Sequence, residues 1–173
     1  KDIITEKKLQ ITILNIDDNA HEDIKVKNIT FIHKVGDCRN MDFFKDKSFD
    51  AVFSNSVIEH VGTFEDQKMM ANEVIRVTNF YFIQTPNLYF PIEPHFLVPF
   101  FQFFPLSLKV FLVKNFSLGW VEKEKNSENA LNTINSIRLL NYKEMNLLFP
   151  KSYIFREKFL GLTKSFFAYK HIT

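Results

Sequence analysis

The sequence is poor in glycine and nearly without cysteine, and both shortages narrow what it can be. A single thiol, Cys38, excludes an internal disulfide framework and suits a reducing compartment, so a cytoplasmic setting is expected. Only four glycines occur among 173 residues, which leaves few places where backbone can approach a phosphate or a sugar closely. No basic run interleaved with aromatics occurs, and the formal net charge is +2. A nucleic-acid footprint is therefore excluded. Internal repeats and low-complexity tracts are absent. So are an initiator Met and a signal-like segment: the chain opens at Lys1 and reads as lacking its natural amino-terminal part. Phenylalanine, by contrast, is abundant at 21 residues, in an otherwise ordinary composition of 46% hydrophobic and 24% charged residues. The length suits a single domain, residues 1–173, with a sizeable core.

Hydropathy and β-branching predict a buried strand over residues 7–16, ended by Asp17-Asp18-Asn19, and a shorter strand over 29–35 that runs into Gly36-Asp37. A third strand, 50–54, stops at Ser54-Asn55. A helix opens at Thr63 or Glu65 and runs to about Val77, with Met69, Met70, Val74 and Val77 on one period, acids at its start and Arg76 near its end. Residues 80–84 form a further strand, stopped by Thr85-Pro86-Asn87. This alternation of strand and helix implies parallel crossovers. Residues 88–120 break the rhythm. The Phe-rich run 96–113 approaches the length of a membrane span, but Pro99 and Pro105 would interrupt the helix and Lys109 would be costly at mid-bilayer. A helical lid packed on the sheet is expected instead, and membrane contact is not. After a charged loop at 122–128, one amphipathic crossover helix is predicted over 135–149, with Ile137, Leu140, Met145 and Leu148 on its inner face. Residues 152–159 and 165–169 form a closing antiparallel hairpin around Leu160-Gly161-Leu162-Thr163.

In open α/β sheets ligands bind at the carboxyl ends of strands. Gly36-Asp37-Cys38 and Ser54-Asn55-Ser56 mark two such ends and suggest a nucleotide-type site. Each has a plainer reading, since Gly-Asp is common turn chemistry and Ser and Asn are favoured helix caps. Cys38 has no evident partner that would make it a thiolate nucleophile. Glu59-His60 follows the second end, and His60 is the candidate catalytic base because an imidazole can take a proton near neutral pH. Adjacent helical residues point about a third of a turn apart, so the pair need not share a pocket; His60 would otherwise bond a neighbouring loop. Glu93-Pro94-His95 precedes the lid. The spacing of Glu59, His60, Glu93 and His95 matches no metal-ligand pattern, and no metal is expected.

Taken in order, Val35-Gly36-Asp37-Cys38-Arg39-Asn40-Met41, then Ser48-Phe49-Asp50 leading into Phe53-Ser54-Asn55-Ser56-Val57-Ile58-Glu59-His60, then Glu73-Val74-Ile75-Arg76-Val77, Ile83-Gln84-Thr85-Pro86-Asn87 and Gly161-Leu162-Thr163-Lys164-Ser165 carry a resemblance. From about Leu9 onward the chain resembles a class I S-adenosylmethionine-dependent methyltransferase of the small-molecule type 11 kind. The resemblance implies an α/β fold, a Rossmann-like, mostly parallel sheet with flanking helices and a carboxyl-terminal antiparallel hairpin. It implies S-adenosylmethionine as cofactor and a small-molecule or lipid-like methyl acceptor. Asn15 aligns with the acid that accepts from the ribose hydroxyls, or Asp17 if the register shifts by two; Asn offers one neutral acceptor where a carboxylate offers two charged ones. Asp37 would accept from the adenine amine and Cys38 would lend its backbone N–H. Asn55 and Ser56 would meet the methionine portion and the acceptor. The family's Gly-x-Gly loop has no counterpart here. The family's central first strand is therefore expected to be missing, leaving a gap between its second and fourth strands and little cofactor affinity in this chain alone. Two other functions stay open: a non-catalytic Rossmann-like relic kept for protein contacts, and a membrane-surface module using the Phe-rich segment.

Overall fold

The computed structural model describes residues 8–17 and 24–170. Asp18 and Asn19 of the predicted polar stop lie outside the described residues. Strand β1 (Leu9–Asn15) runs parallel to β3 (Ile29–Val35), and β2 (Ile24–Val26) adds antiparallel to the far edge of β3. The short β2 went unread in the sequence. It joins β3 across Lys27-Asn28, where Lys27 takes a positive φ of 54° that closes the hairpin in the twist its strands need. Pairing runs from Leu9 opposite Ile29 to Asn15 opposite Val35, so both parallel strands finish level. The Gly36 N–H then donates to the Asn15 carbonyl at 2.8 Å.

A second sheet has the order β4-β5-β7-β6. Its βαβ unit is the expected one: β4 (Val52–Asn55), α1 (Phe64–Val77) and β5 (Tyr81–Pro86), with β4 and β5 parallel. Thr63 caps α1 in a reciprocal capping box with Asp66, which decides between the two predicted starts. Strand β5 runs through Thr85 and Pro86 rather than stopping there. Pro86 pairs with Ser165 of β7 at the strand's end, a place where its missing N–H is tolerated. The closing hairpin, β6 (Tyr153–Phe159) and β7 (Leu162–Tyr169), forms as expected. It turns through Leu160 and Gly161, both at positive φ (49° and 82°).

The expectation of one mostly parallel sheet is corrected: among the described residues there are two sheets, each mixed. Among the described residues β1 is hydrogen-bonded only to β3, and β4 only to β5. The predicted burial of β1 is corrected for the same reason. With one strand neighbour, its side chains range from half-buried to exposed, and Leu9 is 47% exposed.

The main core lies between α1, α4 and the second sheet and holds Ile58, Met70, Val74, Ile83, Leu140, Met145 and Phe166. Each such fully buried side chain is worth about 1.5–3 kcal/mol of apolar transfer. Met69, expected on the inner face of α1, is 49% exposed; Met70 and Ala71 occupy that face. Phe96, Phe101 and Val113 form a second core with Ala130 and Ile134, joining α2 (Leu106–Asn115) to α3 (Ser127–Asn135). The single helix predicted over 135–149 is two helices. α3 ends at Asn135, residues 137–140 are extended enough for Leu140 to bridge Asn87, and α4 (Tyr142–Leu148) restarts at an Asn141–Glu144 capping box. Asn141 accepts from two backbone N–H groups, Lys143 and Glu144, at 2.9 and 3.1 Å. That local bonding competes with helix continuation. Among the described residues no helix is long and apolar enough to cross a membrane.

Candidate active site

The level ends of β1 and β3 set Asn15 beside the Gly36-Asp37-Cys38 corner. Asn15 is exposed. Asp37 is not a free carboxylate: the Arg39 guanidinium grips both of its oxygens, at 3.0 and 2.9 Å from Nε and 2.6 Å from Nη2, and the Arg39 N–H adds a fourth bond at 2.8 Å. These bonds hold Asp37 below the usual carboxylate range. Arg39 also reaches Asp66 at 3.0 Å, so it ties the end of β3 to the first turn of α1, the segment reached from β4. Cys38 is half-buried against the main core, and burial pushes its thiol pKa up, which leaves it an un-ionised thiol.

Asn55 ends β4 opposite Gln84 and is exposed. Ser56 adopts a positive φ of 52° and donates both its hydroxyl, at 2.9 Å, and its N–H, at 3.0 Å, to the Gln84 side-chain oxygen. Neither residue caps a helix. Val57 precedes the 3₁₀ turn at Ile58–His60 without a side-chain cap, and Thr63 caps α1.

That 3₁₀ turn brings Glu59 and His60 into one cluster with His95, all three ligand-type atoms lying within 4.8 Å of one another. Glu59 is 0% exposed. Its Oε2 accepts from the Thr85 hydroxyl at 2.9 Å, while Oε1 has no hydrogen-bond partner. Ser56 lies close enough to ease the charge slightly, but its hydroxyl proton goes to Gln84. Burial dominates and raises the Glu59 pKa. His60 Nε2 stands 3.2 Å from His95 Nε2, with the two rings edge to face. His60 keeps an exposed face, yet desolvation of its ring and the charge of His95 lower its pKa. Burial also works against a charged His95, but the hydrogen bond and charge of Glu93 outweigh it and raise the His95 pKa. Glu93 is 2% exposed; its Oε1 lies 2.6 Å from His95 Nδ1, and its Oε2 accepts from the backbone N–H of His95 and Phe96 at 2.7 Å. Glu93 also lines a cleft of about 270 Å³ beneath the Phe-rich segment, together with Leu88, Phe101, Lys109, Arg138 and Glu144.

Of the residues singled out from the sequence, the fold brings Asn15 to Gly36, the residue before Asp37 and Cys38, and sets Glu59 and His60 in one cluster. The partners His95, Glu93 and Thr85 complete the second group. Sequence reasoning also missed Gln67, which is 0% exposed on the inner face of α1. A polar residue on an apolar stripe was the available signal.

Residues 3–79 match the model of a methyltransferase domain. Over those residues the sequence is similar to that family. An uncharacterized protein of Mycobacterium tuberculosis, found in two strains, is 36% identical over 67 residues, which is 39% of this chain and 23% of that protein. The chain thus matches less than a quarter of the length of those curated relatives. Among solved structures, a SAM-dependent methyltransferase from Methanosarcina mazei superposes with a TM-score of 0.51 at 11% identity, covering 94% of this chain and 81% of that one. A possible exported protein from Bordetella parapertussis gives a TM-score of 0.53, also at 11% identity, over 93% of this chain and 53% of that one. At such identities the likeness is one of fold.

Proposed function

We propose that the protein is a methyltransferase that moves a methyl group from S-adenosylmethionine to a small-molecule or lipid-like acceptor. The observation that carries this reading is the level finish of β1 and β3, which pairs Asn15 with Val35 two residues before Asp37, at the carboxyl ends of parallel strands where open α/β sheets bind ligands. In the reading, Asn15 hydrogen-bonds the ribose hydroxyls, Asp37 shares an oxygen between Arg39 and the adenine amine, and the Cys38 N–H meets the ring. Asn55 and Ser56 border the methionine portion. When bound, the cofactor supplies an electrophilic methyl on a sulfonium. The protein's task is then alignment and, for an acceptor that must lose a proton, removal of that proton. His60 is the base, with the His95–Glu93 pair beside it. The acceptor occupies the cleft walled by Glu93, Phe101 and Lys109.

The donor set fits an adenosine better than it fits the methionine end, because the four glycines at 36, 62, 119 and 161 include no Gly-x-Gly. A second reading, a protein-binding relic, draws support from the bare aromatic face of the second sheet, where Phe53 is 72% exposed and stacks on Phe82.

Calorimetric and saturation-transfer titration with S-adenosylmethionine tests both parts. The expected result is weak, saturable binding that Asp37→Ala and Asn55→Ala abolish. Absence of saturable binding, or binding that ignores both substitutions, overturns the methyltransferase reading and favours the relic. Low-micromolar affinity overturns the incomplete cradle.

A further inference from the structure

We propose that Glu59, His60 and His95 form a binding site for one divalent transition-metal ion of the zinc class, with Glu93 orienting His95 from behind. The proposal does not depend on methyl transfer. Its first support is distance. Two imidazole nitrogens bound to one tetrahedral ion, each about 2.0–2.1 Å from it, stand roughly 3.3–3.4 Å apart, and the two Nε2 atoms here are 3.2 Å apart. The Glu59 carboxylate lies within 4.8 Å of both, so a modest side-chain rotation completes a two-nitrogen, one-oxygen set.

The second support is the unpartnered oxygen. Glu59 is 0% exposed and its Oε1 has no hydrogen bond. A buried carboxylate oxygen left bare is rare unless something outside the protein satisfies it, and a cation between Glu59 and the two rings does so. The third support is the carboxylate behind the ligand. Glu93 Oε1 meets His95 Nδ1 at 2.6 Å while its other oxygen is bound by two backbone N–H groups. This arrangement fixes the proton on Nδ1 and presents the Nε2 lone pair outward, as carboxylate–histidine pairs do behind metals.

The site is also held rigidly. Gln67 Nε2 bonds the Ile58 carbonyl at 3.0 Å, the Arg138 N–H bonds the Glu59 carbonyl at 2.7 Å, and the Trp120 N–H bonds the His95 carbonyl at 2.9 Å. Nitrogen donors favour zinc, cobalt or nickel over magnesium or calcium. Three protein ligands and the exposed face of His60 leave a fourth position for water or an acceptor oxygen. With the ion in place, the His60–His95 hydrogen bond is replaced by two metal bonds, so His60 serves either the ion or proton removal, not both at once.

The test uses the chain stripped with chelator and titrated with Co²⁺, read by its visible d–d bands, then displaced with Zn²⁺ and counted by mass spectrometry after dialysis. One ion per chain is expected, with tetrahedral cobalt bands. His60→Ala and His95→Ala should each weaken binding at least about 100-fold, and Glu93→Gln about 10–100-fold, whereas His33→Gln should leave it unchanged. Far-UV circular dichroism checks that each variant folds. Should a variant unfold, paramagnetic broadening of the His60 and His95 ring signals in the unsubstituted chain gives the answer. Failure to retain an ion, retention unaffected by the double His60→Ala, His95→Ala change, or broadening confined to other histidines overturns the site. None of these readouts involves S-adenosylmethionine.

Discussion

Gln67 sits on the inner face of α1 at 0% exposure, and its amide makes three hydrogen bonds. Nε2 donates to the carbonyls of Ile58, at 3.0 Å, and Arg138, at 2.8 Å; Oε1 accepts from Arg138 Nη1 at 2.7 Å. One side chain therefore ties α1 to the turn bearing Glu59-His60 and to the extended link between α3 and α4. Gln67→Met keeps length and volume while deleting every polar atom. Each lost neutral bond costs about 1 kcal/mol, and the one from the guanidinium about 1.5 kcal/mol, the low end for charged donors because Arg138 is partly exposed and keeps its bond to Glu144. Burial of the thioether returns about 1 kcal/mol, so the net loss is about 2–3 kcal/mol. Urea denaturation followed by circular dichroism at pH 7 measures it, with Lys68→Met on the exposed neighbour as the control, expected within about 0.5 kcal/mol of the parent. A loss for Gln67→Met below about 1 kcal/mol would refute the view that this amide fastens the site.

Gly119 has φ +54°, and a Cβ there would lie 2.5 Å from the His95 carbonyl oxygen and 2.8 Å from the Phe96 carbonyl carbon. Gly119→Ala should therefore cost at least about 1–2 kcal/mol from the left-handed backbone alone and push His95 away from His60; a thermal melt matching the parent's would contradict this. Glu73 accepts from Arg76 and from the Met41 N–H, and its pKa is lowered first by the Arg76 bond. A depressed carboxyl adds stability that is present above the ordinary Glu range of about 4.3 and lost as pH falls through the folded value. Glu73→Gln should thus destabilise at pH 7 by about 1–2 kcal/mol and narrow towards the parent in strong acid; parallel stability curves down to pH 2 would show the reasoning to be wrong.

Much of the local structure was legible. Strand β3 appears at its predicted bounds because its β-branched run ends at Gly36-Asp37, α1 starts at one of its two predicted caps, and Leu160-Gly161 marks the closing turn. Other elements misled for identifiable reasons. The apolar positions Ile137, Leu140, Met145 and Leu148 keep a helical spacing across Asn141, so periodicity alone joined two helices that a capping box separates. Strand β2 is three residues long and turns without glycine, which gives pattern reading little to use. In the Phe-rich run Phe96, Phe101 and Val113 are buried while Phe100, Phe103 and Phe111 are exposed, and the packing of the buried three with α3 could not be read from the pattern.

By itself the sequence determined most of the order of strands and helices, several of the caps and turns that bound them, the polar strand ends at Asp37 and Asn55, and the shortage of glycine. Tertiary structure alone decided which strand edges meet, that Arg39 occupies the Asp37 carboxylate, and that His95 reaches His60 across 35 positions of chain with Glu93 behind it. The division is physical. Propensity, capping and periodicity act over a turn or two of chain, whereas the meeting of distant edges and rings depends on how the whole path packs.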